Sequence, residues 1–356
     1  MDPTDARCFF PLTKQFIFMN HAGVSPMSER SKAALEHLLE QLVTRPYPEG
    51  MSQEVSQRLR SSIGRLVGAG PDTIGLVRGT AHGISVLAEG FDWRPGDNVV
   101  GVRAEDAGNV HPWMALRERG VEYRSVEPVE GRVTPELVLS LVDERTRVVT
   151  VTHVDFWTGY RVDLETIGRE LRRRRVVFAV DADQSAGALR LDLERSPVDF
   201  LCAPAHRWLL GPQGIGFCYC GPSLLDRLRS VLAGTAAVSV LEMTAFGAAV
   251  DLLLDVGPDQ VERQVLSLAR RLAAGLAERG YQIVEPWPRE PSADSGIVRF
   301  RRPGSAPQEV LRDLNAARVV GRRQADSVRL SPHFYNTPEE VDHVLDVLAP
   351  GGVSVA

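Results

Sequence analysis

Between residues 74 and 220 short apolar runs alternate with amphipathic stretches, and this alternation constrains the fold more than any other feature. The apolar runs are IGLV, NVVGV, VEYRSVEP, RVVTVTHV, VVFAVDAD, VDFLCA and IGFCYC, and helical patterns open near Thr80, Asn109, Thr134 and Asp163. Strand and helix in alternation predict a mostly parallel sheet covered on both faces. Upstream, Ser28 to Val67 reads as two helices broken by TRPYPEG, because Pro46 and Pro48 cannot continue a helix. Downstream, helical runs at 240–254 and 258–280 precede YQIV, SGIVRF and SVRL, with further helices near 307–317 and 337–348. That pattern predicts a smaller α+β unit.

In open parallel sheets ligands collect at the carboxyl ends of the strands. Several polar clusters fall at such ends: Gly79, Thr80, Ala81 and His82; Glu105 and Asp106; His153 and Asp155; Asp181, Asp183 and Gln184; His206 and Arg207. A net charge of -5 argues against a nucleic-acid surface. No apolar run reaches the roughly 18 residues that span a bilayer, and MDPTDARCFF has neither the basic start nor the apolar stretch of a signal peptide, so a cytoplasmic protein is expected. Cys218 and Cys220 lack a second pair to complete a zinc site, and no metal is expected.

Only Lys14 and Lys32 are lysines among 41 basic residues, and both precede every cluster named above. The count matters because of the stretches FMNHAGVSP, VRGTAHGISVLA, GNVHPW, VTHVDFWTG, VDADQSAG, VDFLCAPAHRWLLGPQGIGF and VRLSPHFYNTPEEVD. On these the chain resembles the class V aminotransferase family of fold-type I pyridoxal phosphate (PLP) enzymes, a group that includes cysteine desulfurases and isopenicillin N epimerase-like proteins. The resemblance implies an α/β fold: a large domain with a mainly parallel seven-stranded sheet, plus a small α+β domain. It divides the chain into an N-terminal segment (1–20) joining the small domain, a large domain (21–230) and a C-terminal small domain (231–356). It also implies a homodimer.

By the same resemblance, Asp181 would pair with the cofactor's ring nitrogen, Gln184 would touch its phenolic oxygen, and Gly79, Thr80 and Ala81 would hold its phosphate on free helix amides. Arg329 matches the arginine that grips a substrate carboxylate. The pair matching the family's His-Lys is His206-Arg207. A guanidinium stays protonated and cannot form an imine, so no cofactor held as a covalent aldimine is expected. Pro204 stands where a phosphate-binding serine is common, and the turn from Glu105 to Asn109 lacks a ring to stack on the cofactor.

The expectation is therefore a PLP-independent enzyme that uses His206, Arg207 and Asp181 on a small carboxylate-bearing metabolite, by isomerisation, elimination, cyclisation or condensation. Arg329, His21, His82, His153 and Asp106 are the candidate substrate contacts. Two alternatives stand beside it. PLP or pyridoxamine phosphate could be held non-covalently by Gly79, Thr80, Ala81, Asp181, Gln184 and His206, or the chain could be a non-catalytic binding protein. Residues 318–328 contain no cysteine nucleophile, so cysteine desulfurase chemistry is not expected.

Overall fold

A computed structural model describes residues 1–103, 105–226, 228, 238–284 and 287–349. The apolar runs form strands β2 (Ile74–Val77), β3 (Asn98–Val102), β4 (Glu122–Val126), β5 (Thr146–Thr152), β6 (Val177–Asp181), β7 (Phe200–Pro204) and β8 (Gly216–Cys220). They make one seven-stranded sheet in the order β2-β8-β7-β6-β5-β3-β4. The pairs from β4 through β7 are parallel, while β8 runs antiparallel to both β7 and β2. Reversing twice brings β2 back into the direction of β7, so the carboxyl ends of β2, β3, β5, β6 and β7 lie along one edge. Strands such as β3, β7 and β8 are buried throughout, which is why they read as continuous apolar runs rather than alternating ones.

The helices that cover this sheet include α2 (Glu29–Thr44), α3 (Met51–Val67), α4 (Thr80–Gly90), α5 (Ala107–Ala115) and α7 (Leu164–Arg174), after the short N-terminal α1 (Pro3–Ala6) and α6 (Pro135–Leu139). Asp163 caps α7 by accepting from Thr166 N at 3.0 Å, and the arginine run that begins at Arg172 closes its carboxyl end, where cations complement the helix dipole. The turn after β6 demands glycine at 187: its φ is +92°, and an added Cβ would lie 2.4 Å from the carbonyl oxygen of Trp208.

A second core lies in the C-terminal third, where β9 (Gln282–Ile283), β10 (Val298–Arg301), β12 (Arg322–Gln324) and β13 (Ser327–Leu330) form an antiparallel sheet in the order β12-β13-β10-β9. The helices Pro258–Glu278, Pro307–Ala316 and Pro338–Val347 flank it. Near the N-terminus, β1 (Ile17–Phe18) pairs in parallel with β11 (Val319–Val320), and Met19 enters the same core. The helix Val240–Val256 packs instead on α2 and α3. No described helix is long and apolar enough to cross a membrane.

Candidate functional site

At the edge where β2, β3, β6 and β7 end, a cavity of about 390 Å³ opens. One wall is the start of α4, with Gly79, Thr80, Ala81 and His82; the opposite wall carries Asp181, Asp183, His206 and Arg207. Gly79 offers no side chain to cap α4, so the first amides of that helix lack intrahelical acceptors. Beside them the Thr80 hydroxyl is buried without a partner. An uncapped helix start with an orphaned hydroxyl is suited to an anion such as a phosphate.

Asp181 is 1 % exposed, and its Oδ1 accepts only the amide of Asp183, at 2.8 Å. Burial, reinforced by the neighbouring Asp183 charge, pushes its carboxyl well above the ordinary range. Asp183 is raised by burial too, opposed by the Arg207 guanidinium. Arg207 Nε stands 2.7 Å from Asp183 Oδ1, at ion-pair distance but without an aligned N–H, while its Nη1 donates to the Ala22 carbonyl at 2.6 Å. His206 is kept below the usual imidazole range first by burial and then by Arg207, so it is neutral at pH 7 and able to accept a proton.

The site is narrower than the sequence expectation. Gln184 is not free for a cofactor: its amide nitrogen donates to Asp183 Oδ2 at 2.9 Å and Ala22 O at 3.3 Å, and its oxygen accepts from Trp208 Nε1 at 3.0 Å. His21 lies behind the cavity, with both ring nitrogens engaged, by Ser331 O at 2.8 Å and Tyr335 OH at 2.7 Å. His153 faces elsewhere, into a separate cavity of about 660 Å³ that Arg132, Arg161 and Arg289 also line. Burial lowers its pKa to about 3, so it is neutral there. His82 and Asp106 do reach the first cavity, Asp106 while also accepting from Gly108 N at 2.8 Å to cap α5.

Arg329 lies on β13 and is 1 % exposed, its guanidinium 4.5 Å from the ring centre of Phe156, on which Arg207 also stacks at 5.6 Å. Its Nε and Nη1 are buried without acceptors. Burial and the adjacent Arg207 and Arg322 charges lower its pKa to about 9. Idle donors on a buried guanidinium are suited to a carboxylate, although Arg329 is not among the residues that line the first cavity. Phe156, as the shared platform of the two arginines, had no assigned role in the sequence reading, and Asp183 was read as a pocket acid rather than as the partner of Arg207. The second acid of Asp-Ala-Asp was the only signal for the latter.

Glu105, half-buried after β3, is a further acid at this edge of the sheet. Its carboxylate turns inward to accept from Thr152 N and Asn109 Nδ2, both at 2.7 Å, yet burial prevails over these bonds and lifts its pKa to about 8. The folded state therefore holds a proton that the unfolded chain releases near 4.5. This contribution to stability is complete below pH 4.5 and is lost as pH rises through about 8. At about 1.4 kcal/mol per pKa unit the effect spans a few kcal/mol. Glu105→Gln is expected to flatten the fall in denaturation midpoint between pH 5 and 8.5, and an unchanged slope would show that Glu105 ionises normally.

The model of the aminotransferase class V family matches residues 17–344. The chain belongs to the class V aminotransferase family. It is 29% identical over 325 residues to a probable cysteine desulfurase of Methanothermobacter thermautotrophicus, covering 80% of each chain. Among solved structures it matches the apo cysteine desulfurase of Thermococcus onnurineus with a TM-score of 0.87 at 22% identity, covering 98% of this chain and 97% of that one. A lysine-to-alanine mutant of the enzyme C-DES, with glycine covalently linked to its PLP cofactor, matches with a TM-score of 0.87 at 21% identity, covering 95% and 97%.

Two expectations are overturned by these findings. Exclusion from the cysteine desulfurases does not stand, because the relatives and structural neighbours carrying that name align over most of the chain. The missing cysteine in one loop was too local a feature to outweigh that. Nor does the expectation of a PLP-independent enzyme stand, since a neighbour with nearly the same fold contains PLP. The cavity fits the two ends of PLP: the α4 amides and Thr80 suit its phosphate, and the buried acid of Asp181 suits its ring nitrogen.

Proposed function

We propose that this chain is a cysteine desulfurase-like class V enzyme that binds PLP or its amine form, pyridoxamine phosphate, and acts on a small carboxylate-bearing substrate. Arg207 stands, on this reading, where the relatives carry the cofactor lysine, so ion pairs and hydrogen bonds hold the cofactor. The observation that carries the reading is the pairing of two unsatisfied features on one cavity: the uncapped α4 start with the orphaned Thr80 hydroxyl, and the buried Asp181 carboxyl.

Bound there, PLP would supply an electron sink for the carbon next to the substrate's nitrogen. Gly79, Thr80 and Ala81 would hold the phosphate, and Asp181 would stand as a carboxylate against the ring nitrogen. His206, neutral at pH 7, would take or return the substrate proton, while Arg207 stays cationic and fixed by Asp183 and the Ala22 carbonyl. Arg329 would take the substrate carboxylate.

A homodimer with the domain division given above is part of the proposal. Exposed Leu39, Val43 and Tyr47, on and just beyond α2, are apolar surface that a second copy would cover. Gel filtration after incubation with each cofactor form tests the central point. Retention of about one cofactor per chain is expected, weakened about tenfold or more by Asp181→Asn, which cannot supply the charge. No retention of either form would remove the proposal.

A further inference from the structure

The antiparallel register of the C-terminal sheet sets three arginines side by side. Arg329 on β13 is directly opposite Arg299 on β10 and Arg322 on β12. Directly opposed residues point to the same face, and Val328 and Leu330 turn to the other face, into the second core. The arginine face is the one that meets the large domain, where Arg299 stacks near Trp157 at 5.9 Å and Arg329 near Phe156 at 4.5 Å, with Arg207 also 5.6 Å from Phe156.

Like charges placed opposite each other across a sheet destabilise it, so such a row needs counter-charge. The protein supplies it unevenly. Arg299 pairs with Asp326 at 3.2 Å, and Arg207 with Asp183 at 2.7 Å. Arg329 and Arg322 have no carboxylate partner among the described residues. Arg329 has in addition two buried idle donors, whereas Arg322 is exposed at the open end of the row.

We infer that the substrate is a small dicarboxylate, one carboxylate taken by Arg329 and the other by Arg322. A monocarboxylate would answer only one of the two unpartnered guanidiniums. Arg322 thereby becomes the residue that selects chain length and charge, and its exposure lets the second carboxylate remain partly hydrated. The inference rests on the proposed function above for the use of Arg329 as the carboxylate site, but not on the cofactor.

Calorimetric titration of the full chain with succinate and glutarate, and with butyrate and valerate as monocarboxylates of matching length, tests it. The dicarboxylates are expected to bind at least about fivefold more tightly, the scale of one added ion pair at a partly exposed site. Arg322→Gln is expected to erase that difference and leave monocarboxylate binding unchanged. As an exposed edge-strand change it should not disturb folding, which a melting curve checks. Equal binding of the two classes, no binding of either, or a preference that survives Arg322→Gln would each overturn the inference. PLP retention measured on the same Arg322→Gln protein separates the two proposals. A lost dicarboxylate preference with the cofactor still retained upholds both, and a protein that never retains the cofactor but prefers dicarboxylates loses only the cofactor reading.

Discussion

Arg207→Lys is expected to give a protein that adds a borohydride-reducible PLP adduct at that residue. The side chain at 207 lines the cavity between His206 and Asp183, on the same walls as Asp181 and Thr80. A primary amine there would meet a cofactor held by the groups already present. Asp183 would then face a lysine instead of a guanidinium. Arginine does not make this change at neutral pH, because its delocalised cation stays protonated there. Peptide mapping after reduction reads the result. Absence of an adduct in Arg207→Lys, with PLP bound, would mean that residue 207 does not face the cofactor's reactive carbon.

Arg329→Met is expected to act in two opposite directions. Carboxylate binding should fall by a factor of about a hundred or more, the scale of removing one partner of a buried, hydrogen-bonded charge pair. Without ligand, however, the variant should be more stable than the parent by about 1–3 kcal/mol, since Nε and Nη1 of Arg329 are buried with no acceptor. Arg207, Arg322 and Arg299 add like charge around it. Methionine fills similar volume beside Phe156 and removes both costs. Urea denaturation of the two proteins with and without succinate measures both effects. A variant less stable than the parent when ligand-free would show that Arg329 is satisfied by contacts within the fold.

The alternation of strand and helix made the large sheet legible in the sequence, because parallel strands buried on both faces leave continuous apolar runs such as NVVGV and VVFAV. The edge where ligands gather followed from it, and Thr80, Asp181, His206 and Arg207 do meet there. What remained hidden was the direction of individual side chains. His153 follows β5 at the same edge where Asp181 ends β6, yet it faces a different cavity. Gln184 follows Asp183 directly, but the indole of Trp208, distant in sequence, turns its amide inward. The arginine row is visible only once β12, β13 and β10 are in register, since Arg299, Arg322 and Arg329 come from three separate strands.

The most direct test of the account is the intact mass and near-visible spectrum of the unaltered protein after incubation with PLP, recorded before and after borohydride. A chromophore that stays with the protein through desalting, with no mass added on reduction, is the predicted result. A reduced PLP adduct on Lys14, Lys32 or any other residue, or a protein that keeps no chromophore at all, would contradict it.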